Sequence, residues 1–264
     1  MLRTIEVSGV RYRVSDEGTG PVLLLVHGFP LDHTMWQAQI EEFSKTHRVI
    51  APDLRSFGGS DGNLYAISME QFADDLAELL EALTADRPIT FCGLSMGGYI
   101  GFQFAIRHPQ WLNRLILCDT RAAADSPEAA ANRLKMADIV TKQGPEPVVF
   151  AMMPKLFAPQ TSAQQPSLVE QVRRTVMGTA AVAIAAAHRG MAVRPDMTAA
   201  LPDLNIPTLV VVGEHDAISP ASEMKAIADA MPNARYELIP NAGHMAPMEN
   251  SVAVNQAFRR FLQN

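Results

Sequence analysis

The spacing of apolar and polar positions divides the chain into three blocks. Over residues 1 to about 121, strand and helix patterns alternate. Leu2 to Val7 and Val10 to Val14 read as an antiparallel start to a sheet. Val22 to Val26, Val49 to Ala51, Ile89 to Cys92 and Leu115 to Cys118 are short apolar runs suited to parallel core strands, the first of them apolar throughout. Met69 to Leu83 has the period of an amphipathic helix, and its acids Asp74, Asp75, Glu78 and Glu81 are expected on a solvated face. From about 122 to 196 the strand pattern vanishes. Alanine-rich helical segments replace it, with Pro145, Pro147, Pro154, Pro159 and Pro166 as breaks, which predicts a helical cap inserted over the sheet. From about 202 the alternation resumes, with strand patterns at Thr208 to Val212 and Tyr236 to Ile239. The expected organisation is an α/β core of residues 1–121 and 197–264, with residues 122–196 as the cap.

Composition narrows the function. A hydrophobic content of 48% in 264 residues supports one large core. The net charge of −6, with no cluster of basic residues, argues against a nucleic-acid partner. No run approaches ~18 uninterrupted apolar residues, so no membrane span is expected. Met1-Leu2-Arg3-Thr4-Ile5-Glu6 lacks a signal-peptide core, which makes the cytoplasm the default location. Cys92 and Cys118 are then expected as free, buried thiols. No Cys or His pair has zinc-like spacing, so no metal is expected.

The most informative stretch is Gly93-Leu94-Ser95-Met96-Gly97, which follows one apolar run and opens a helical pattern through Tyr99, Phe102 and Ala105. A serine between glycines at a strand-to-helix turn is the layout of a nucleophile elbow. Such a turn strains the serine backbone and leaves room only for small residues two positions to either side. A glycine-rich turn packing a helix on a strand has the same pattern, so the motif depends on three features elsewhere.

The first is His27-Gly28-Phe29-Pro30 after the run Val22 to Val26. A glycine there lets the chain turn so that the Phe29 N–H points into a cleft and stabilises an oxyanion together with the N–H of Met96, the residue after the serine. His27 itself lies too early in the chain to be the base and is expected to brace its loop. The second is Asp216, after Gly213-Glu214-His215, at the carboxyl edge of the sheet where ligands bind in open α/β folds. The third is His244, in Asn241-Ala242-Gly243-His244. The chain order Ser95, Asp216, His244 differs from that of chymotrypsin-type and subtilisin-type enzymes.

These residues identify the family. The chain resembles an α/β-hydrolase of the serine esterase and lactonase type along nearly its whole length. Pro52-Asp53-Leu54-Arg55 followed by Gly58-Gly59-Ser60-Asp61 is similar to a supporting loop beside the active site in that family. The family form has Gly directly after the Arg, where this chain has Ser56-Phe57. Gly190 to Ala192 with Arg194-Pro195-Asp196, and Val212 to Asp216, resemble bacterial relatives of 3-oxoadipate enol-lactonases and small carboxylesterases. The resemblance implies a mostly parallel, eight-stranded sheet flanked by helices and a helical cap. It also implies a catalytic triad of Ser95, Asp216 and His244 that needs no cofactor.

Asp119 also follows a strand and is a second candidate for the triad acid. Candidates to line an apolar substrate pocket are Trp36, Phe150, Met153, Phe157, Met191 and Met245. Among the basic residues Arg121, Arg133, Lys135 and Lys155, a solvated charge is the simplest expectation for each. The expected partner is a small-molecule ester or lactone, with short-chain acyl esters favoured. An enol-lactone hydrolase, a perhydrolase or cofactor-free haloperoxidase and a carbon–carbon bond hydrolase share the same triad. A ligand receptor on a hydrolase scaffold is the non-enzyme alternative. The serine at the elbow argues against haloalkane dehalogenases and epoxide hydrolases, which place an aspartate there.

Overall fold

The apolar runs become the strands of a single eight-stranded sheet. A computed structural model describes residues 1–263. In chain order the first block holds β1 (Leu2–Val7), β2 (Val10–Glu17), β3 (Val22–Val26), α1 (Gln37–Phe43), β4 (Arg48–Pro52), α2 (Met69–Ala82), β5 (Ile89–Leu94), α3 (Met96–Arg107) and β6 (Leu112–Cys118). Five helices follow: α4 (Pro127–Gln143), α5 (Glu146–Leu156), α6 (Thr161–Gln164), α7 (Pro166–Gly178) and α8 (Ala181–Ala192). The chain then closes with β7 (Thr208–Gly213), α9 (Ala221–Ala230), β8 (Ala234–Ile239), α10 (Ala246–Glu249) and α11 (Ser251–Leu262).

The strand order is β1-β2-β4-β3-β5-β6-β7-β8. β2 pairs antiparallel with β1 and β4, and every pairing from β4 to β8 is parallel. The order reverses at β3: the chain steps outward to β4 on one side and returns to β5 on the other. Such a switch point opens a crevice outside the carboxyl ends of the two strands. The loop after β3 begins at His27 and the turn after β5 holds Ser95, so both lie at that crevice.

Burial explains why the patterns were readable. β3, β5 and β7 are buried along their whole length, so only apolar or small residues fit there. β8 lies at the sheet edge and is only partly buried, with Leu238 exposed. In α2, Ser68 caps the helix by accepting the Gln71 N–H at 3.2 Å, and Phe72, Ala73, Leu76, Leu79 and Leu80 form the buried stripe. One acid departs from its expected solvated face. Asp75 is buried and receives a two-pronged pairing from Arg55, with both contacts at 2.6 Å.

The five helices between β6 and β7 are tied to the loops at the crevice. Thr179 Oγ1 donates to the Pro30 carbonyl at 2.9 Å, Ile67 N–H to Ala186 at 3.3 Å, and Met245 N–H to Leu156 at 3.1 Å. Several prolines read as breaks are helix starts instead. Pro166 occupies the first turn of α7, and Pro145 and Pro147 open α5, where a missing N–H costs nothing. Of the prolines read as breaks, Pro154 sits inside a helix.

Candidate active site

The turn between β5 and α3 has the strain expected of an elbow. Ser95 sits at φ 53° and ψ −111°, outside the helix it caps. Its N–H donates to Cys118 O at 2.9 Å and its carbonyl accepts Thr120 Oγ1 at 2.7 Å, which anchors the turn to β6. The flanking glycines are sterically required. A Cβ at Gly93 would stand 2.2 Å from Gly97 O, and one at Gly97 would stand 2.4 Å from Val26 O. Ser95 is partly exposed while its neighbours on both sides are buried.

The loop after β3 lies directly against this turn. A Cβ at Gly28 would come 3.5 Å from Ser95 Cβ. His27 is fully buried and braces the loop: Nδ1 donates to Gly28 O at 2.9 Å and Nε2 accepts the Leu54 N–H at 3.0 Å. Burial pushes this imidazole down, toward the neutral form that the two bonds require. Phe29 and Met96, the two residues named for their backbone N–H groups, follow Gly28 and Ser95 directly.

Asp216 and His244 are brought together across the ends of β7 and β8. Their side chains are almost wholly buried, and His244 Nδ1 stands 2.9 Å from Asp216 Oδ2. The other carboxylate oxygen accepts the N–H groups of Ile218 at 2.7 Å and Ser219 at 2.9 Å. Asp119 is not the partner of the histidine. Its Oδ1 accepts the Gly213 N–H at 2.8 Å.

A residue that sequence reasoning missed holds the histidine loop. Glu249 is buried, and its Oε1 accepts the N–H groups on either side of His244, from Gly243 at 2.8 Å and Met245 at 3.2 Å. Its Oε2 accepts Ala158 N–H at 2.8 Å and Thr161 Oγ1 at 2.5 Å, from the helical insertion. His188 on α8 was also missed. It is 7% exposed, its ring centroid stands 4.6 Å from that of Phe29, and neither ring nitrogen has a partner. Burial first, and then the Arg133 charge, push its pKa down to about 3, so the imidazole is neutral.

The pocket candidates separate. Phe157 and Met245 flank the histidine loop, and the Phe157 backbone carbon would lie 2.6 Å from a Cβ at Gly243. Met191 is buried, with Arg133 Nη1 at 3.5 Å from its sulfur, and Met153 is half-buried against the core. Two do not fit a pocket lining. Phe150 is 86% exposed, because it lies about 200° around α5 from the buried Val148 and points outward. Trp36 is fully enclosed in the core. Two of the basic residues expected in solvent are paired. Arg121 grips Glu223 through two contacts of 2.6 Å. Arg133 shares the buried Asp125 with Arg194, which contacts it at 2.7 Å. These two guanidiniums hold the Asp125 carboxyl below the usual range in spite of its burial.

Asp32, His33 and Asp53 are the one group among the described residues with ligand-type atoms within 4.8 Å of one another. Those atoms already bond protein. Asp53 accepts His33 Nδ1 at 2.6 Å, His33 N–H at 2.9 Å and Gly59 N–H at 2.7 Å, and Asp32 caps the turn by accepting Thr34 N–H at 2.9 Å. The group braces the loop after β4. A surface depression of about 450 Å³ lined by Arg114, Pro207, Asn233 and Arg235 opens at the amino ends of β6 to β8, the far side of the sheet from Ser95.

The family follows from the whole chain. Residues 23–257 match the model of the alpha/beta hydrolase family. The chain belongs to the alpha/beta hydrolase family. It is similar to the malate-bound structure of a thermophilic esterase from Thermogutta terrifontis, at 45% identity and a TM-score of 0.96, over 100% of this chain and 98% of that one. It is similar to the enol-lactonase from Burkholderia xenovorans LB400, at 27% identity and a TM-score of 0.92, over 99% and 100% of the two chains. Among curated proteins, 3-oxoadipate enol-lactonase 2 of Acinetobacter baylyi is 26% identical over 96% of this chain and 93% of its own.

Proposed function

We propose that this alpha/beta hydrolase cleaves carboxylic esters with short acyl chains through an acyl-enzyme on Ser95. The observation that carries this reading is a strained, partly exposed serine at the same sheet edge as a buried histidine bonded to a buried aspartate. The 45% identity to an esterase over the full chain supports the ester class.

Each residue has a role its chemistry fits. A serine hydroxyl is a weak nucleophile until a base takes its proton during attack. His244 accepts that proton on Nε2, while Nδ1–H stays bonded to Asp216 Oδ2. Ser95 Oγ then bonds the ester carbonyl carbon, and the carbonyl oxygen becomes an oxyanion that the N–H groups of Phe29 and Met96 receive. The tetrahedral species collapses as the C–O bond to the alkoxide breaks, and His244 returns the proton to the departing alcohol. Water then repeats the sequence on the acyl-enzyme: His244 takes its proton, its oxygen bonds the acyl carbon, and Ser95 Oγ leaves with the proton back from His244. The products are an alcohol and a carboxylic acid, and the enzyme is regenerated. The helical insertion of residues 122–196 acts as a cap that shapes the acyl site, with Phe157 and Met245 beside the histidine.

A second reading is an enol-lactone substrate, favoured by full-length similarity to two enol-lactonases. Initial rates on p-nitrophenyl esters from acetate to laurate, with Ser95→Ala as control, separate the two. Turnover that falls with chain length and vanishes in the variant is the expected result. No turnover above the variant on any ester would reject the ester reading and direct the assay to enol-lactones.

A further inference from the structure

Two buried carboxyl groups stand at neighbouring strand ends, and only one of them serves His244. Asp119 is the first residue after β6, is fully buried, and holds a left-handed backbone at φ 47°. It is clamped to the strand and loop that carry Asp216. Its N–H donates to Val211 O at 2.9 Å, and Ser219 Oγ donates to its carbonyl at 3.1 Å. The same Ser219 gives its N–H to Asp216. Asp119 and Asp216 therefore share one framework.

The donors are divided unequally. Asp216 receives Ile218 N–H, Ser219 N–H and His244 Nδ1–H. Asp119 receives Gly213 N–H on Oδ1, and its buried Oδ2 receives no donor, while the carboxylate within hydrogen-bond reach of its side chain is that of Asp216. Two adjacent buried carboxyls do not both ionise at neutral pH, because each charge raises the cost of the other and water is not there to screen them. The proton settles on the group with fewer donors, at the oxygen that has none.

We propose that Asp119 is a neutral carboxylic acid whose Oδ2–H donates a hydrogen bond to the Asp216 carboxylate, which makes it a positioning residue for the Asp216–His244 pair. This rests on the catalytic reading of Ser95, His244 and Asp216. Burial and then the Asp216 charge push the Asp119 carboxyl well above its ordinary range, in the direction the geometry requires. The titratable groups that act on Asp119 are Asp216, from the loop after β7, and Cys118, on its own strand. β7 contributes the Gly213 N–H, and α9 contributes Met224, whose sulfur accepts the Thr120 N–H at 3.2 Å. Around His244 the further charge is Glu249, which bonds the amides on both sides. The hydrogen bond from Asp119 spreads part of the Asp216 charge and fixes the plane of that carboxylate. It thereby limits how strongly Asp216 favours the imidazolium, which must lose its proton before it can act as base. The Asp119 proton stays in place throughout turnover.

Two readouts test this. The first is the infrared carbonyl-stretch band of a protonated carboxylic acid at neutral pH, compared between wild type and Asp119→Asn. The proposal requires that band in wild type and its loss in the variant; no such band overturns it. This readout needs no turnover, so it stands even if the protein fails to hydrolyse esters, a result that would count against the catalytic reading alone. The second is the acid limb of kcat/KM on p-nitrophenyl acetate. Asp119→Asn keeps a neutral donor and leaves the limb in place. Asp119→Leu removes the donor and moves the limb up by about one pH unit. A downward shift in both variants would mean an ionised Asp119, and an unmoved limb in both would mean a bystander; either overturns the proposal. Where Asp119→Leu does not fold, the band and the Asn variant decide.

Discussion

At the scale of single residues, the proposed function rests on Ser95, Asp216 and His244, and their acid can be tested against its rival. Asp216→Asn deprives His244 of the acceptor on Nδ1 and is expected to cut kcat by about 10⁴-fold. Asp119→Asn is expected to be far milder, and the reverse ranking in ester hydrolysis would overturn the assignment. Ser56 shows how a departure from the family pattern reads in the backbone. It stands at φ 73°, a left-handed conformation that glycine adopts without strain. Ser56→Gly is expected to raise the unfolding free energy in urea by up to about 1 kcal/mol; a lower value would show that the Ser56 side chain stabilises the loop. Ser95, Asp216 and His244 stood out as candidates because each lies within a few residues of the end of a strand pattern, and the chain order did the rest. Asp119 was visible as a candidate but its part was not, since that depends on which donors the fold hands to each carboxylate. His188 was illegible, because a histidine in an alanine-rich helix does not reveal which face will be closed.

At the scale of elements, the histidine loop is held by a side chain from the short helix that follows it. Glu249 bonds two amides beside His244 and two groups of the helical insertion, and so ties the two parts together. Glu249→Ala leaves those buried donors without an acceptor and is expected to cost about 3 kcal/mol. Thermal and urea unfolding measure that loss, and a midpoint equal to wild type would contradict the role. The helices of the insertion were legible as a helical block and not as separate elements. Proline was the reason: Pro127, Pro147 and Pro166 sit in first turns, where proline starts a helix as readily as it ends one. Asp75 was misplaced for a related reason. Its position on α2 is at the border of the polar face, and only the approach of Arg55 from another loop brings it inside.

At the scale of the whole molecule, the sheet gathers residues from distant parts of the chain onto one edge. Strand existence could be read from burial on both faces. Strand order could not, because it depends on pairings such as β2 with β4 that no local pattern records. The His33–Asp53 pair ties the loop after β3 to the loop after β4 and gives stability a pH dependence. Burial alone would raise Asp53, but the His33 hydrogen bond and charge bring it below its ordinary 3.8, so its contribution is present above 3.8 and is lost as pH falls through the lowered value. Burial alone would lower His33, but the Asp53 bond and charge bring it above 6.5, so its contribution is present below 6.5 and is lost as pH rises through the raised value. Urea unfolding across pH is expected to show the largest gap between wild type and Asp53→Asn between those limits, and a gap that does not vary with pH would contradict the ion pair. Among the described residues no helix is long and apolar enough to cross a membrane. The central claim is that this sheet edge makes Ser95 a nucleophile that carries the acyl group. Rapid mixing with p-nitrophenyl acetate, quenching and intact-mass analysis tests it most directly. The account predicts one acetyl adduct that maps to Ser95, formed with a burst of p-nitrophenolate and absent from Ser95→Ala. An adduct that persists in Ser95→Ala together with full turnover would contradict it.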